Sequence, residues 1–99
     1  MLYAIISKDG NESLEKRSLA RADHIDRLNI LVNEGRLIIA GPHPLIDADE
    51  PGPAGFSGSL IVAEFASLEE AKIWANDDPY VSANVYKEVT VKPFKQVLP

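Results

Sequence analysis

The sequence predicts an α+β fold of ferredoxin-like βαββαβ order: an antiparallel four-stranded sheet with two helices on one face. Three observations predict it. Apolar runs of strand length and two stretches of helical period follow one another as strand, helix, strand, strand, helix, strand. The two middle strands are joined directly by a loop, so an antiparallel pair is the simplest connection. The first three strands read as apolar on both faces, yet two helices cover only one face of such a sheet.

Residues 2–7 form the first strand, apolar on both sides and therefore central, and Asp9-Gly10-Asn11 ends it. Ser13 is a candidate N-cap for a helical turn over 13–17, which either runs on or breaks before a second helix near Ala20. Over 22–34 the helical period is firm. Ile25, Leu28, Leu31 and Val32 make the buried stripe, Asp23, Asp26, Arg27 and Asn33 face water, and Gly35 is the stop. Residues 36–41 are the second strand, ended by Gly41-Pro42-His43-Pro44 because neither proline donates to a ladder.

An acidic loop rich in turn formers, 47–55, leads to the third strand at 59–65. Ser67 then opens a helix, with Glu70 completing a capping box and Leu68, Ala71, Ile73, Trp74 and Ala75 on the packing side. It ends near 76–77, since Asp78 precedes Pro79. Residues 80–84 read as a turn or short helical piece. The fourth strand spans 85–93, with Val85, Val89 and Val91 on one face and Tyr86, Glu88, Thr90 and Lys92 on the other.

Ninety-nine residues hold one core, so a single domain over 1–99 is expected. With no cysteine, thiolate catalysis, disulfides and cysteine-rich zinc sites are excluded. A net charge of −5 argues against a nucleic-acid backbone as partner. No run approaches the roughly 18 apolar residues of a membrane span. The short apolar start lacks a basic flank and reads as a strand, not a signal peptide, so a cytoplasmic location is expected. The uncovered sheet face predicts a homodimer through that face.

Arg17, Arg21, His24, Leu28 and Leu31 recur at steps of four, three, four and three, one stripe of a helix that runs from arginine to leucine. His24 therefore sits where core meets polar rim. The turn Asp77-Asp78-Pro79-Tyr80 ends the second helix on the same sheet face, within reach of the first helix. An aspartate held against the imidazole fixes its tautomer and favours its charged form, the minimum equipment for a general acid/base. The bland readings are a packed rim histidine and a simple Asp-Pro helix stop. A zinc site needs His43 and Asp78 or Asp47 to converge on His24, with no supporting spacing, so no metal is expected.

Ser57 and Ser59 lack a nucleophile elbow, and Gly55-Phe56-Ser57-Gly58 lacks the ending of a phosphate loop. A solvated helix face is the ordinary use of Arg17 and Arg21; holding a substrate carboxylate is the alternative.

Several stretches together carry a resemblance. They are Met1-Leu2-Tyr3, Ser13-Leu14-Glu15-Lys16-Arg17, Arg21 with His24, Glu34-Gly35-Arg36-Leu37, Ala40-Gly41-Pro42, Gly55-Phe56-Ser57-Gly58-Ser59, Asp78-Pro79-Tyr80-Val81 and Val91-Lys92-Pro93-Phe94-Lys95. Over nearly its whole length the chain resembles the YciI family of small bacterial proteins. The resemblance implies a dimeric α/β-barrel type of fold and a site centred on a histidine and an aspartate, which map to His24 and Asp78. Relatives in aromatic breakdown, a dehydrochlorinase among them, imply cofactor-free proton transfer on a small cyclic or carbonyl substrate. In that reading His24 moves the proton, Asp78 orients and charges it, and Arg21, Gly41, Pro42, Ser59 and Tyr80 bind substrate, Gly41 and Pro42 by close backbone approach. The alternative is a non-catalytic small-molecule-binding or accessory domain using the same pocket.

Overall fold

The computed structural model describes residues 1–99. The elements are β1 (Leu2–Asp9), α1 (Ser13–Asn33), β2 (Leu37–Pro44), β3 (Phe56–Glu64), α2 (Leu68–Asn76), α3 (Pro79–Ser82) and β4 (Tyr86–Phe94). The strands form one sheet in the order β2-β3-β1-β4, every neighbouring pair antiparallel. That is the ferredoxin-like arrangement, α+β with the helices packed on one face.

Strand alternation splits β1 between two environments. Tyr3 and Ile5 face the helices and join Leu28 and Leu31 of α1 and Ile61 and Ala63 of β3 in the core. Leu2, Ala4 and Ile6 point the other way, beside Leu60 and Val62 of β3, onto a face that no helix covers. Ile39, paired with Val62, is 57% exposed there.

Local chemistry departs from the sequence reading in several places. α1 is one uninterrupted helix, and Ser13 is its buried first residue and not its cap. Glu12 holds the cap position in the left-handed region, without a side-chain hydrogen bond. Val32 falls outside the buried stripe because that stripe runs through His24, Leu28 and Leu31, turning Val32 to water. On α2, Ile73 is likewise exposed, while Ala71 and Ala75 pack and Ser67 caps by accepting from the Glu70 N–H.

β2 runs through both prolines instead of ending before them. It is an edge strand, so a missing N–H on its outer side interrupts no ladder. β4 carries the correction with most consequence. Its pairing with β1 shifts between Lys8 and Asp9, so that Lys8 faces Glu88 and Asp9 faces Tyr86. The extra residue turns Tyr86 onto the helix-side face shared by Val89, not the opposite one. Gly58 on β3 is required by a close approach: a Cβ there would collide with the Ser7 carbonyl oxygen of β1.

Candidate functional site

α1 brings His24 to the helix–sheet layer, 7% exposed. Its Nδ1 lies 2.8 and 2.9 Å from the two carboxylate oxygens of Asp78. Asp78 is fixed by its own backbone role: it is the N-cap of α3, accepting from the Tyr80 N–H at 2.9 Å, with Pro79 setting the first helical turn. Its Oδ2 also accepts from Arg27 Nη1 at 3.1 Å. Arg27 does not simply face water. Its Nη2 donates to the Trp74 carbonyl at 2.8 Å, and the guanidinium lies 4.3 Å over the Trp74 ring. The Tyr80 ring stacks on the imidazole at 3.9 Å, nearly parallel at 9°.

A carboxylate only accepts hydrogen bonds, so Nδ1 carries a hydrogen, and in the neutral ring the lone pair is on Nε2. No protein group meets Nε2, and His24 borders a cavity of about 280 Å³ between α1 and the β2–β3 ribbon. The arrangement holds one ring nitrogen against a carboxylate and leaves the other without a protein partner on a residue that borders a cavity, a geometry in which an imidazole can take up or release a proton.

The neighbouring arrangement is built on Arg17, buried and not on a solvated face. Its Nε donates to Asp9 Oδ2 at 2.7 Å and its Nη2 to Asp9 Oδ1 at 2.9 Å, a bidentate pair. The same Nη2 reaches the Gly58 carbonyl and Ser59 Oγ, each at 3.0 Å. The rings of Phe56, Tyr80 and Tyr86 surround the guanidinium at 5.1, 5.2 and 5.8 Å. Burial works against the Arg17 charge, but the hydrogen bond and charge of Asp9 outweigh it and raise its pKa. The Tyr86 hydroxyl donates to Ser59 Oγ at 2.9 Å, and burial pushes Tyr86 up to about 12. Burial also raises Tyr80, with the charges of Arg17 and Arg21 pulling the other way.

Of the residues singled out in the sequence, His24, Arg21, Gly41, Pro42, Ser59 and Tyr80 all border the cavity, and Asp78 lies behind the imidazole. Beside Gly41 no protein atom lies within 4 Å of where a Cβ would stand, so the space next to its backbone is open. The tight glycine is Gly58. His43 pairs with Gly58 and borders a separate, larger groove together with Ser57. No group of three or more histidine, aspartate or glutamate side chains is placed to hold a metal ion.

Four residues escaped the sequence reading: Asp9, Arg27, Phe56 and Tyr86. The Asp9–Arg17 partnership has a visible signal, an acid at a strand end eight positions before a base on the following helix. Tyr86 has none, because the bulge that re-aims it leaves no mark in the alternation.

Residues 1–95 match the model of the YCII-related domain family. Over 97 residues the chain is 56% identical to protein YciI of Escherichia coli O6:H1, covering 98% of this chain and 99% of that protein. It is 50% identical over 97 residues to an uncharacterized protein of Haemophilus influenzae, with the same two coverages. In three dimensions it is similar to the 5-chloro-2-hydroxyhydroquinone dehydrochlorinase TftG of Burkholderia phenoliruptrix AC1100, a structure in complex with 2,5-dihydroxybenzoquinone. The TM-score is 0.82 at 25% identity, over 96% of this chain and 94% of the other.

Proposed function

The chain belongs to the YCII-related domain family, and from that premise we infer a small enzyme performing cofactor-free acid/base proton transfer on a small cyclic or carbonyl substrate. The step is of isomerase or lyase type, and dehydrochlorination is one form of it. The single observation that carries this reading is His24: Nδ1 clamped by Asp78, Nε2 without a protein partner at a cavity.

Nε2 takes a proton from the carbon next to a substrate carbonyl, and Asp78 stabilises the imidazolium that forms. In an isomerisation the proton returns to another atom. In an elimination the carbon–halogen bond breaks, its electron pair leaves with the halide, and His24 later gives its proton to solvent. Asp78 is a positioning residue, because the imidazole stands between it and the cavity. Arg21, Gly41, Pro42, Ser59 and Tyr80 provide the substrate-binding wall. The similarity to TftG, a dehydrochlorinase, supports the reaction class.

The proposal extends to assembly and place. A second copy packed on the open sheet face would cover Ile6, Ile39 and Leu60, which an isolated chain leaves partly or largely wet. The chain then works as a homodimer in the cytoplasm, on a small molecule, with neither nucleic acid nor membrane as partner. No helix is long and apolar enough to cross a membrane.

The test is hydrogen–deuterium exchange at carbon, followed by NMR on a panel of cyclic ketones and halogenated hydroquinones in heavy water. Exchange or halide release that falls at least about a hundredfold in His24→Ala is the expected result. Turnover unchanged in that variant contradicts the proposal. Tight retention of a ligand with no exchange makes the protein a binding domain instead.

A further inference from the structure

Ser59 sits where the Arg17 arrangement meets the cavity, and its hydroxyl has a restricted choice of partners. A hydroxyl offers one hydrogen and two acceptor lone pairs. Arg17 Nη2 can only donate, and it shares its two hydrogens among Asp9 Oδ1, the Gly58 carbonyl and Ser59 Oγ, so it faces a lone pair of Ser59 Oγ at 3.0 Å. The Tyr86 hydroxyl is the second partner, at 2.9 Å. Of the two hydroxyl hydrogens, one fills the Tyr86–Ser59 bond and the other has no protein acceptor. Tyr86 does not border the cavity, whereas Ser59 does. The hydrogen without an acceptor therefore belongs on Ser59, turned into the cavity, with Tyr86 donating behind it. Burial pushes Tyr86 up to about 12, so it keeps its hydrogen for this purpose throughout the neutral range.

Charge points the same way. The chain has 15 acidic and 10 basic residues, yet Arg17, Arg21 and His24 border this cavity and no carboxylate does. Arg17 bonds Asp9, Gly58 and Ser59 through Nε and Nη2, and the rest of its guanidinium lies among the rings of Phe56, Tyr80 and Tyr86. Arg21 has no ion-pair partner at all. Leu28, Ile61 and Phe56 supply apolar walls, and donors in such surroundings favour a negative oxygen more strongly than they do in water. The cavity is a slot between a helix and a sheet, and at about 280 Å³ it lies at the small end of ligand sites.

We propose that Ser59 donates a hydrogen bond to an oxyanion of the ligand, and that the cavity selects single-ring ligands bearing such an oxygen, phenolates or ring enolates. This rests on the cavity being the substrate site and gives Ser59, Tyr86 and Arg17 distinct parts in it. Ser59 touches the ligand. Tyr86 is a positioning residue that turns the Ser59 hydroxyl, and Arg17 holds that hydroxyl in place.

The experiment uses the purified full chain and 4-nitrophenol, whose neutral and ionised forms absorb at different wavelengths. Titrating the probe with protein across neutral pH gives a dissociation constant for each form. The phenolate is expected to bind at least about tenfold more tightly than the phenol. Ser59→Ala is expected to remove most of that preference, Ser59→Thr to keep it, and Tyr86→Phe to lose part of it, because the Ser59 hydroxyl is no longer turned to the cavity. A role in stability alone would change melting temperature and leave the preference intact.

No saturable binding up to millimolar probe overturns the proposal. So does equal binding of the two forms, or an unchanged preference in Ser59→Ala. If Ser59→Ala does not fold, Tyr86→Phe decides, and an unchanged preference there overturns the assigned hydrogen placement. The two readings part by assay on the intact protein: a Ser59-dependent phenolate preference without proton exchange on the carbon-acid panel overturns the acid/base reading alone, and exchange without that preference overturns this proposal alone.

Discussion

α1 carries two buried basic side chains, Arg17 and His24, seven residues apart on one stripe, and each meets an aspartate from outside the helix. Around Arg17 the donors turn inward: Asp9, the Gly58 carbonyl and Ser59 engage Nε and Nη2, and three aromatic rings enclose the rest. Around His24 the aspartate and Arg27 lie on the Nδ1 side, Tyr80 stacks on the ring face, and the far nitrogen has no hydrogen-bond partner in the protein. Both groups are buried and both are paired, so in the proposed function burial and pairing do not separate scaffold from reagent. What separates them is proton chemistry. Arginine does not release its proton in a protein, whereas an imidazole exchanges one in the neutral range.

The largest expected effect breaks the scaffold side. Arg17→Met leaves the Asp9 carboxylate buried without its charge partner and should cost about 3–5 kcal/mol in urea unfolding. Adding Asp9→Asn should recover part of that loss, the coupling that a double-mutant cycle reads. On the reagent side, Asp78→Ala removes an N-cap and leaves the His24 Nδ1–H without its acceptor, for about 2–3 kcal/mol. Its effect on proton transfer should be the larger one, at least about a hundredfold.

A third effect is set by pH. Tyr86 ionises near 10 in the unfolded chain and near 12 in the fold, so the unfolded chain gives up its proton first as pH rises. Its contribution is complete below pH 10 and is lost between about 10 and 12, a fall of about 3 kcal/mol. Tyr86→Phe should flatten that part of the stability–pH curve. The smallest expected effect is Arg27→Leu, about 1 kcal/mol, because Asp78 keeps its other two donors. Proton transfer in that variant should stay within a few-fold of the intact protein. A loss as large as that of Asp78→Ala would make Arg27 part of the reagent side.

How far each side could be read in the sequence follows the same division. His24 stood out because helical spacing places it between arginine and leucine, and Asp78 because proline after it ends a helix. Those are local signals, and they sufficed for element order and for the cavity wall. Arg17 looked like solvent-facing charge, since its partner Asp9 comes from a strand end that reads as a turn. Tyr86 was assigned to the wrong face because one bulge inverts the alternation. Pro42 and Pro44 stay inside β2 because sheet position, invisible to local pattern, makes that strand an edge. Val32 fits the helical period and Ile73 is apolar, yet the faces that pack run through His24, Leu28 and Leu31 and through Ala71 and Ala75, which leaves both side chains exposed.

The measurement that most directly tests the division is ¹⁵N NMR of the His24 ring across the pH range in which the protein is folded. The account predicts that Nδ1 stays protonated throughout and that Nε2 is the nitrogen that gains and loses the proton. In Asp78→Ala, the ring should pass to a mixture of tautomers. A wild-type ring that carries its hydrogen on Nε2 and titrates at Nδ1 would contradict the account, because the reactive nitrogen would then face Asp78 and not the cavity.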